Sequence, residues 1–306
     1  MSAGNGVEEF LDWLVLERGR APSTREAYRR DLSGYCEVLV ARGRSAETAD
    51  EEDVLAHLRQ LQSRGMAPAS IRRTMTAVRT FHQFLVVDGL RDDDPCSHVE
   101  IPRVPASVPG ALSEAEVDAI LDAVNGSDRV SRRDRAMLEV LYGTGMRISE
   151  LVGMSLSDVD MAESLVRVLG KGQRERILPV GRCAQEALAA WLVHAGRGEM
   201  EPERWASQHD QEAVWINQRG RRLSRQGAWS VVKKRAQQAA LGAKVTPHVF
   251  RHSCATHMLD HGADIRAVQE LLGHASISTT QVYTMVSKEK LWEVYRAAHP
   301  RATLSR

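Results

Sequence analysis

The chain of 306 residues has no apolar run long enough to cross a bilayer and no closely paired cysteines. Residues 1–6 lack the basic and apolar regions of a secretory signal. The four cysteines are scattered without CxxC spacing, which favours reduced thiols over a disulfide framework. These absences exclude the membrane-spanning and disulfide-rich secreted classes, and they predict a soluble cytoplasmic protein.

A strong net charge is also lacking, because the formal value is only +1. The charges are nevertheless segregated. Acids cluster at 50–53 and 92–94, whereas arginines are concentrated at 18–30 and 64–79. A DNA-binding surface requires one basic face and not a basic chain, so nucleic acid stays among the candidate ligands.

Residues 8–90 read as four amphipathic helices without a strand. A capping box at 23–26 predicts one helix to about Ala41, and apolar spacing predicts another over 69–87. Each of these two helices carries a polar face. That face is either a solvated surface or one that contacts phosphates and base edges in the major groove. The candidate DNA-binding residues on these faces are Arg25, Arg29, Arg72, Thr76, Arg79 and Gln83.

Four prolines between 91 and 110 predict an extended linker. It separates a helical domain, 1–90, from a second domain, 111–306. The second domain opens with a capping box at 113–116. Apolar alternation on both sides of a glycine-bracketed turn then predicts a β-hairpin with Lys171 at its tip.

Residues 246–283 combine polar side chains with firm helix boundaries. Pro247 suits a first helical turn, which places His248 and Arg251 at i and i+3 on one face. A helix over 264–272, with Ile265 among its inward apolar positions, ends at Gly273. His274 follows, and a short capped helix carries Tyr283. Side chains placed by such signals can be held accurately.

The segments 143–151, 246–257 and 271–283 resemble the signature boxes of tyrosine site-specific recombinases of the phage integrase superfamily. The resemblance covers nearly the whole chain and is closest to the bacterial XerC/XerD type, with a lean towards XerD. It implies a mainly α fold: an N-terminal SAM-like four-helix DNA-binding domain and a mainly α catalytic domain with a small antiparallel sheet. The two domains of such proteins clamp DNA.

The resemblance also implies a chemistry without cofactor, metal or ATP. A tyrosine attacks the scissile phosphate, giving a 3′-phosphotyrosyl link and a free 5′-hydroxyl. Two arginines bind the non-bridging oxygens, a hairpin lysine protonates the leaving oxygen, and two histidines contact the phosphate. The residues at the matching positions are Arg147, Lys171, His248, Arg251, His274 and the nucleophile Tyr283, with Glu150 orienting its neighbours.

The partners implied are double-stranded DNA with specific half-sites and a tetramer, either of this chain or shared with a paralogue of the XerC/XerD pair. The resemblance also implies chromosome-dimer resolution at a dif-type site, with a DNA translocase of the FtsK type as a possible activator. It implies no membrane partner. A helix over 287–299 has apolar residues on one face. In the family such a helix docks on the neighbouring protomer, so the resemblance implies the same here; the alternative is packing within its own chain.

Other interpretations stay open at this point. His248, His252, Cys254 and His257 could bind zinc by spacing, although Arg251 lies among them and disfavours a dication. Cys254 is expected instead to be a small buried residue. A phage or mobile-element integrase, a type IB topoisomerase and an accessory DNA-binding protein are the alternative functions.

Overall fold

The computed structural model describes residues 3–18, 22–101, 110–170, 175–242, 244–273 and 288–302. Lys171, His274 and Tyr283 lie outside the described residues. The chain divides into two compact units, 1–107 and 108–306. In the part of the chain that the structure describes, no helix is long and apolar enough to span a membrane.

The first unit is a bundle of four helices, as the sequence pattern predicted. They are α1 (Ala3–Leu16), α2 (Pro22–Ala41), α3 (Glu51–Ser63) and α4 (Pro68–Val87). Their apolar faces meet in a core that contains Phe10, Tyr35 and Phe81, each fully buried. Helix α2 begins one residue before the predicted N-cap Ser23, because proline lacks an N–H and its fixed φ suits the first turn.

Residues 91–101, predicted to start the linker, pack against the first unit instead. Arg91 is buried and donates to the carbonyls of Ala46 (3.0 Å) and Ala49 (3.1 Å). Cys96 and Val99 join the core of the same unit. Proline and aspartate in this stretch indicate irregular backbone. They do not predict that Arg91 binds buried backbone carbonyls of the first unit.

The second unit is mainly helical around a small sheet. Its helices are α5 (Glu114–Asp122), α6 (Arg129–Thr144), α7 (Ile148–Gly153), α8 (Arg182–Leu192), α9 (Gln208–Gln211), α10 (Arg225–Gln238), α11 (Pro247–Asp260), α12 (Ile265–Leu272) and α13 (Lys288–Ala298). The strands β1 (Val159–Asp160), β2 (Leu165–Leu169) and β3 (Glu175–Pro179) form an antiparallel sheet in chain order. The predicted hairpin, β2 and β3, and the Ser113 capping box are confirmed.

Helix α6 runs through the core of this unit, and twelve of its sixteen residues are buried. Helix α12 buries Val268, Leu271 and Leu272 as predicted. The inward position predicted for Ile265 is wrong, because this side chain is 57% exposed. Ile265 is the first residue of the helix and lies before the turns that reach the core.

The C-terminal helix α13 packs within its own chain. Tyr295 is fully buried and stacks on His299 at 4.8 Å between ring centroids, and Ala298 is buried beside them. These residues belong to the core of the second unit. The apolar face that we expected to dock on a neighbouring protomer is therefore already covered, and docking in trans would require α13 to leave this position.

Arg301 fastens the end of this segment to the unit. Its guanidinium donates to both carboxylate oxygens of Glu139 (2.8 and 2.5 Å) and to Asp118 (2.6 Å), and only 3% of the side chain is exposed. Glu139 also pairs with Arg135 (2.9 Å), but without Arg301 this buried carboxylate loses two charge-assisted bonds and much of its compensation.

We therefore predict that Arg301→Met lowers the free energy of unfolding by about 3–5 kcal/mol in urea denaturation. The matched control is Arg182→Met, which removes an exposed pair with Glu186 and should change stability by less than about 0.5 kcal/mol. Equal stability of the two variants would contradict the anchoring role of Arg301.

Candidate active site

The sharp corner between α6 and α7 presents the first site residue. Gly145 ends α6 with a left-handed backbone, φ +60°. A Cβ at this position would lie 2.6 Å from Leu272 Cδ2 and 3.0 Å from Cys254 Sγ, so glycine is required for conformation and for space. Two residues later Arg147 occupies the N-cap of α7, with 40% of its side chain exposed.

Arg251 approaches the same corner from α11. That helix starts as predicted, with the Thr246 hydroxyl capping the N–H of Val249 and Pro247 in the first turn. Arg251 is 6% exposed and donates to the carbonyls of Gly145 (2.7 Å) and Leu272 (2.6 Å). Burial is the main cause that lowers the pKa of Arg251 to about 10, and repulsion from Arg147 is the second. The side chain is therefore still charged at neutral pH.

Three arginines meet at the carboxyl end of α12. Its last carbonyls accept in sequence, Leu271 from Arg176 Nε (3.1 Å), Leu272 from Arg251 Nη2 (2.6 Å) and Gly273 from Arg147 Nη2 (3.1 Å). The last carbonyls of a helix lack intrahelical donors and carry the negative end of its dipole. The cluster therefore satisfies these groups and fixes the residue that immediately precedes His274.

One carboxylate lies among these guanidiniums. Glu150 is buried; it accepts from the backbone N–H of Arg147 (2.7 Å) and from its Nη1 (3.0 Å). Arg176 donates to both carboxylate oxygens, at 2.8 and 2.9 Å. Burial alone would raise the pKa of Glu150, but the bonds from Arg176 and Arg147 outweigh it and hold the pKa below its ordinary value.

The described part of the site is thus positively charged, with three guanidiniums against one carboxylate. Arginine is always charged and matches phosphate oxygens bidentately, so this arrangement suits an anionic phosphodiester. His248 is exposed on α11, one turn before Arg251 and on the same face. Its contact with the same ligand stays a prediction.

The other predicted catalytic residues fall outside the described residues. Lys171 belongs to the connection between β2 and β3, His274 follows Gly273 directly, and Tyr283 comes before α13. Their roles stay predictions. The structure brings together Arg147, Glu150 and Arg251 around the end of α12, and His248 lies one turn before Arg251 on α11.

The zinc alternative loses two of its four ligands. His257 uses Nδ1 with the Tyr142 hydroxyl (2.8 Å) and Nε2 with the Leu112 carbonyl (2.7 Å). Cys254 is fully buried, as expected, and burial raises the pKa of its thiol to about 12. Both residues serve the core beneath the arginines.

Sequence reasoning missed Arg176 and a cleft at the start of α10. The cleft, about 390 Å³, is lined by Ile148, Arg225, Gln226 and Trp229. Ile148 follows Arg147, so exposed cationic, amide and aromatic groups lie next to the cluster. The Ser224 cap and the following Arg-Gln pair were a readable signal for a polar helix start.

The first-unit candidates for DNA contact differ in their surroundings. Arg25 pairs with Asp12 (2.8 Å) and Arg29 with Glu8 (2.7 Å), both near the surface. Exposed pairs of this kind contribute little and can be exchanged for phosphate contacts. They remain candidates.

On α4, Arg72, Thr76 and Gln83 are exposed. Arg79 differs from these three residues because it is half-buried and its Nη2 donates to the carbonyls of Cys96 (3.2 Å) and Val99 (2.7 Å). These bonds hold the 91–101 segment on the first unit, and we withdraw Arg79 from the proposed DNA contacts.

Comparison with known proteins decides the family. The Phage integrase family model matches residues 111–290, and the Phage integrase N-terminal SAM-like domain matches 7–89. The chain belongs to the phage integrase family. The recognition of this family from the sequence boxes is confirmed, as is the mainly α fold with a small antiparallel sheet.

Two curated relatives match over almost their full length. Tyrosine recombinase XerD of Halalkalibacterium halodurans is 46% identical over 98% of this chain and 99% of its own. Tyrosine recombinase XerD of Pseudomonas aeruginosa is 40% identical over 96% of this chain and 97% of its own.

Two solved structures share the fold. A lambda integrase dimer bound to a core site is 17% identical with a TM-score of 0.66, covering 92% of this chain and 100% of that one. XerH recombinase bound to palindromic difH substrate is 22% identical with a TM-score of 0.64, covering 91% and 81%.

The depressed pKa of Glu150 gives a pH prediction. A carboxylate with a lowered folded pKa stabilises the protein above its ordinary pKa of 4.5, and this contribution is lost as the pH falls through the folded value. At neutral pH, Glu150→Gln should lower the free energy of unfolding by about 1.5–3 kcal/mol, since it removes charge-assisted bonds. The difference from wild type should shrink as Glu150 itself becomes protonated below pH 4.5.

Urea denaturation at a series of pH values measures this gap. Glu186→Gln, on an exposed pair with Arg182, is the control and should show almost none. A difference in free energy of unfolding between Glu150→Gln and wild type that stays constant at acidic pH would contradict the claim that Glu150 is ionised at neutral pH.

Proposed function

We propose that this chain is a tyrosine recombinase that cuts and rejoins duplex DNA at specific sites. It acts through a 3′-phosphotyrosyl intermediate and a Holliday junction, without ATP or a cofactor. The observation that carries the proposal is the pair Arg147 and Arg251, held by backbone carbonyls at one corner beside the buried Glu150. The family match over 111–290 supports it.

In the proposed reaction the hydroxyl of Tyr283 attacks the scissile phosphorus in line. The new phosphorus–oxygen bond forms as the bond to the 5′-oxygen breaks, and the energy of the phosphodiester is retained in the protein–DNA link. Lys171 donates a proton to the departing 5′-oxygen, and His248 takes part in removing the tyrosine proton. His274 donates to a non-bridging oxygen. The free 5′-hydroxyl of a partner strand then reverses the step.

Arg147 and Arg251 stabilise the negative charge that grows on the non-bridging oxygens. Each guanidinium is already fixed before DNA arrives, Arg251 by two carbonyls and Arg147 by Glu150 and Gly273. Donors organised in advance need no reorganisation when the charge develops, and one such donor is worth about 10²–10³ in rate.

For the biological substrate we propose a dif-type site and the resolution of chromosome dimers in the cytoplasm. The support is near full-length similarity to proteins named XerD. Four protomers, of this chain or shared with a XerC-type paralogue, would exchange strands, with a DNA translocase of the FtsK type as activator. Arg25, Arg29, Arg72, Thr76 and Gln83 would contact the half-site.

A nicked duplex that traps the covalent intermediate tests the nucleophile. Wild type incubated with a nicked dif-type duplex should form a protein–DNA adduct stable to denaturing electrophoresis, and Tyr283→Phe should form none because the attacking oxygen is gone. Tyr295→Phe, which alters a buried core tyrosine of the same unit, is the control and should keep the adduct.

An adduct that persists in Tyr283→Phe would overturn the assignment of the nucleophile. Relaxation of supercoiled plasmid lacking any dif-type site would favour the type IB topoisomerase instead.

A further inference from the structure

Arg176 is an arginine on the core face of a strand. In the β2–β3 ladder it lies opposite Val168, and two residues later Leu178 lies opposite Val166. Val166, Val168 and Leu178 are buried, whereas Ile177 on the other face is 41% exposed. The strand therefore turns an isoleucine outward and an arginine, 16% exposed, inward. Burying a guanidinium is costly unless its donors are satisfied.

The donors of Arg176 are satisfied by two separate elements. Its Nη1 and Nη2 bind both oxygens of Glu150 (2.8 and 2.9 Å), and its Nε binds the Leu271 carbonyl (3.1 Å). One planar group thus connects β3 with α7 and with the last turn of α12.

Gly273 provides independent support for this arrangement. A Cβ there would lie 3.2 Å from the Cζ, Nε and Nη1 atoms of Arg176, so the guanidinium lies against the bare glycine. The residue also has φ +67°, a conformation that favours glycine. The end of α12 is shaped to receive this side chain.

We propose that Arg176 is a positioning residue of the recombination site, one that fixes Glu150 and the end of α12. The inference rests on the proposed function for its catalytic consequence, but its structural part stands on the contacts alone. Through Glu150 it sets the guanidinium of Arg147, and through Leu271 it sets the turn that leads to His274. It also ties β3, whose hairpin connection contains Lys171, to both.

Lysine cannot replace Arg176 in this role. A lysine ammonium is a single point donor on a flexible chain, whereas arginine offers a rigid fork with a further N–H at Nε. Bidentate contact with Glu150 and simultaneous contact with Leu271 need that geometry.

The first experiment compares Arg176→Met and Arg176→Lys with Arg167→Met. Arg167 is the matched control because it lies on the adjacent strand, outward, in an exposed pair with Asp158. Hydrogen–deuterium exchange of peptides covering α12 should be faster in both Arg176 variants and unchanged in Arg167→Met. Unchanged exchange in Arg176→Met, or the same increase in the control, would overturn the proposal whatever the activity of the protein.

The second experiment measures single-turnover cleavage of the nicked duplex together with half-site binding. Arg176→Met should cleave about 10–100-fold more slowly, since a displacement near 1 Å can cost 10²-fold, while half-site affinity stays at the wild-type level. Arg176→Lys should not restore the rate. Restoration by lysine, or a parallel loss of binding and cleavage, would contradict a positioning role.

A double-mutant cycle completes the test. If Arg176 acts through Glu150, the cleavage rate of Arg176→Met combined with Glu150→Gln should be close to that of the slower single variant. Multiplicative effects would show that the two residues act independently and would overturn the proposal. If wild type forms no adduct at all, the recombinase proposal fails while the exchange data still decide the role of Arg176.

Discussion

The arginine cluster of the second unit depends on one buried carboxylate. Glu150 accepts bonds from Arg147 and Arg176, and the remaining donors of these arginines reach the carbonyls at the end of α12. A buried carboxylate requires cations, and a helix end requires donors. Because the same guanidiniums meet both needs, α7, β3 and α12 are locked to one another, and Arg251 adds α11 through Leu272 and Gly145.

The site carries an excess of positive charge, although the net charge of the whole chain is only +1. The mutual repulsion of Arg147 and Arg251 contributes to the lowered pKa of Arg251, and it is a cost that the folded protein carries without ligand. A phosphodiester placed between them would relieve that repulsion. Sites that perform chemistry commonly keep such unfavourable interactions because they become favourable with the substrate bound.

Local signals in the sequence predicted the local structure of the site. Pro247 gave the start of α11, Gly273 the end of α12, and the boxes around Arg147 and Arg251 the family. The sequence did not predict which face of an element an arginine lies on, or which group it contacts. Arg176 lies on the inward face of its strand, where Glu150 neutralises it, and Arg79 donates to the carbonyls of Cys96 and Val99, which pack against the first unit. The apolar face of α13 indicates that it is covered, but not by which chain. In each case the deciding contact is remote in sequence.

We propose that Arg147 and Arg251 bind one scissile phosphate, that Glu150 and Arg176 hold Arg147 in place, and that the carbonyls of Gly145 and Leu272 hold Arg251. A crystal structure of the protein on its DNA site, trapped at the cleavage step with vanadate, tests this most directly. We expect both guanidiniums on non-bridging oxygens of the same phosphorus-like centre, with the Glu150–Arg176 pair unchanged. A trapped centre that contacts neither arginine, or a Glu150 separated from Arg176, would contradict it.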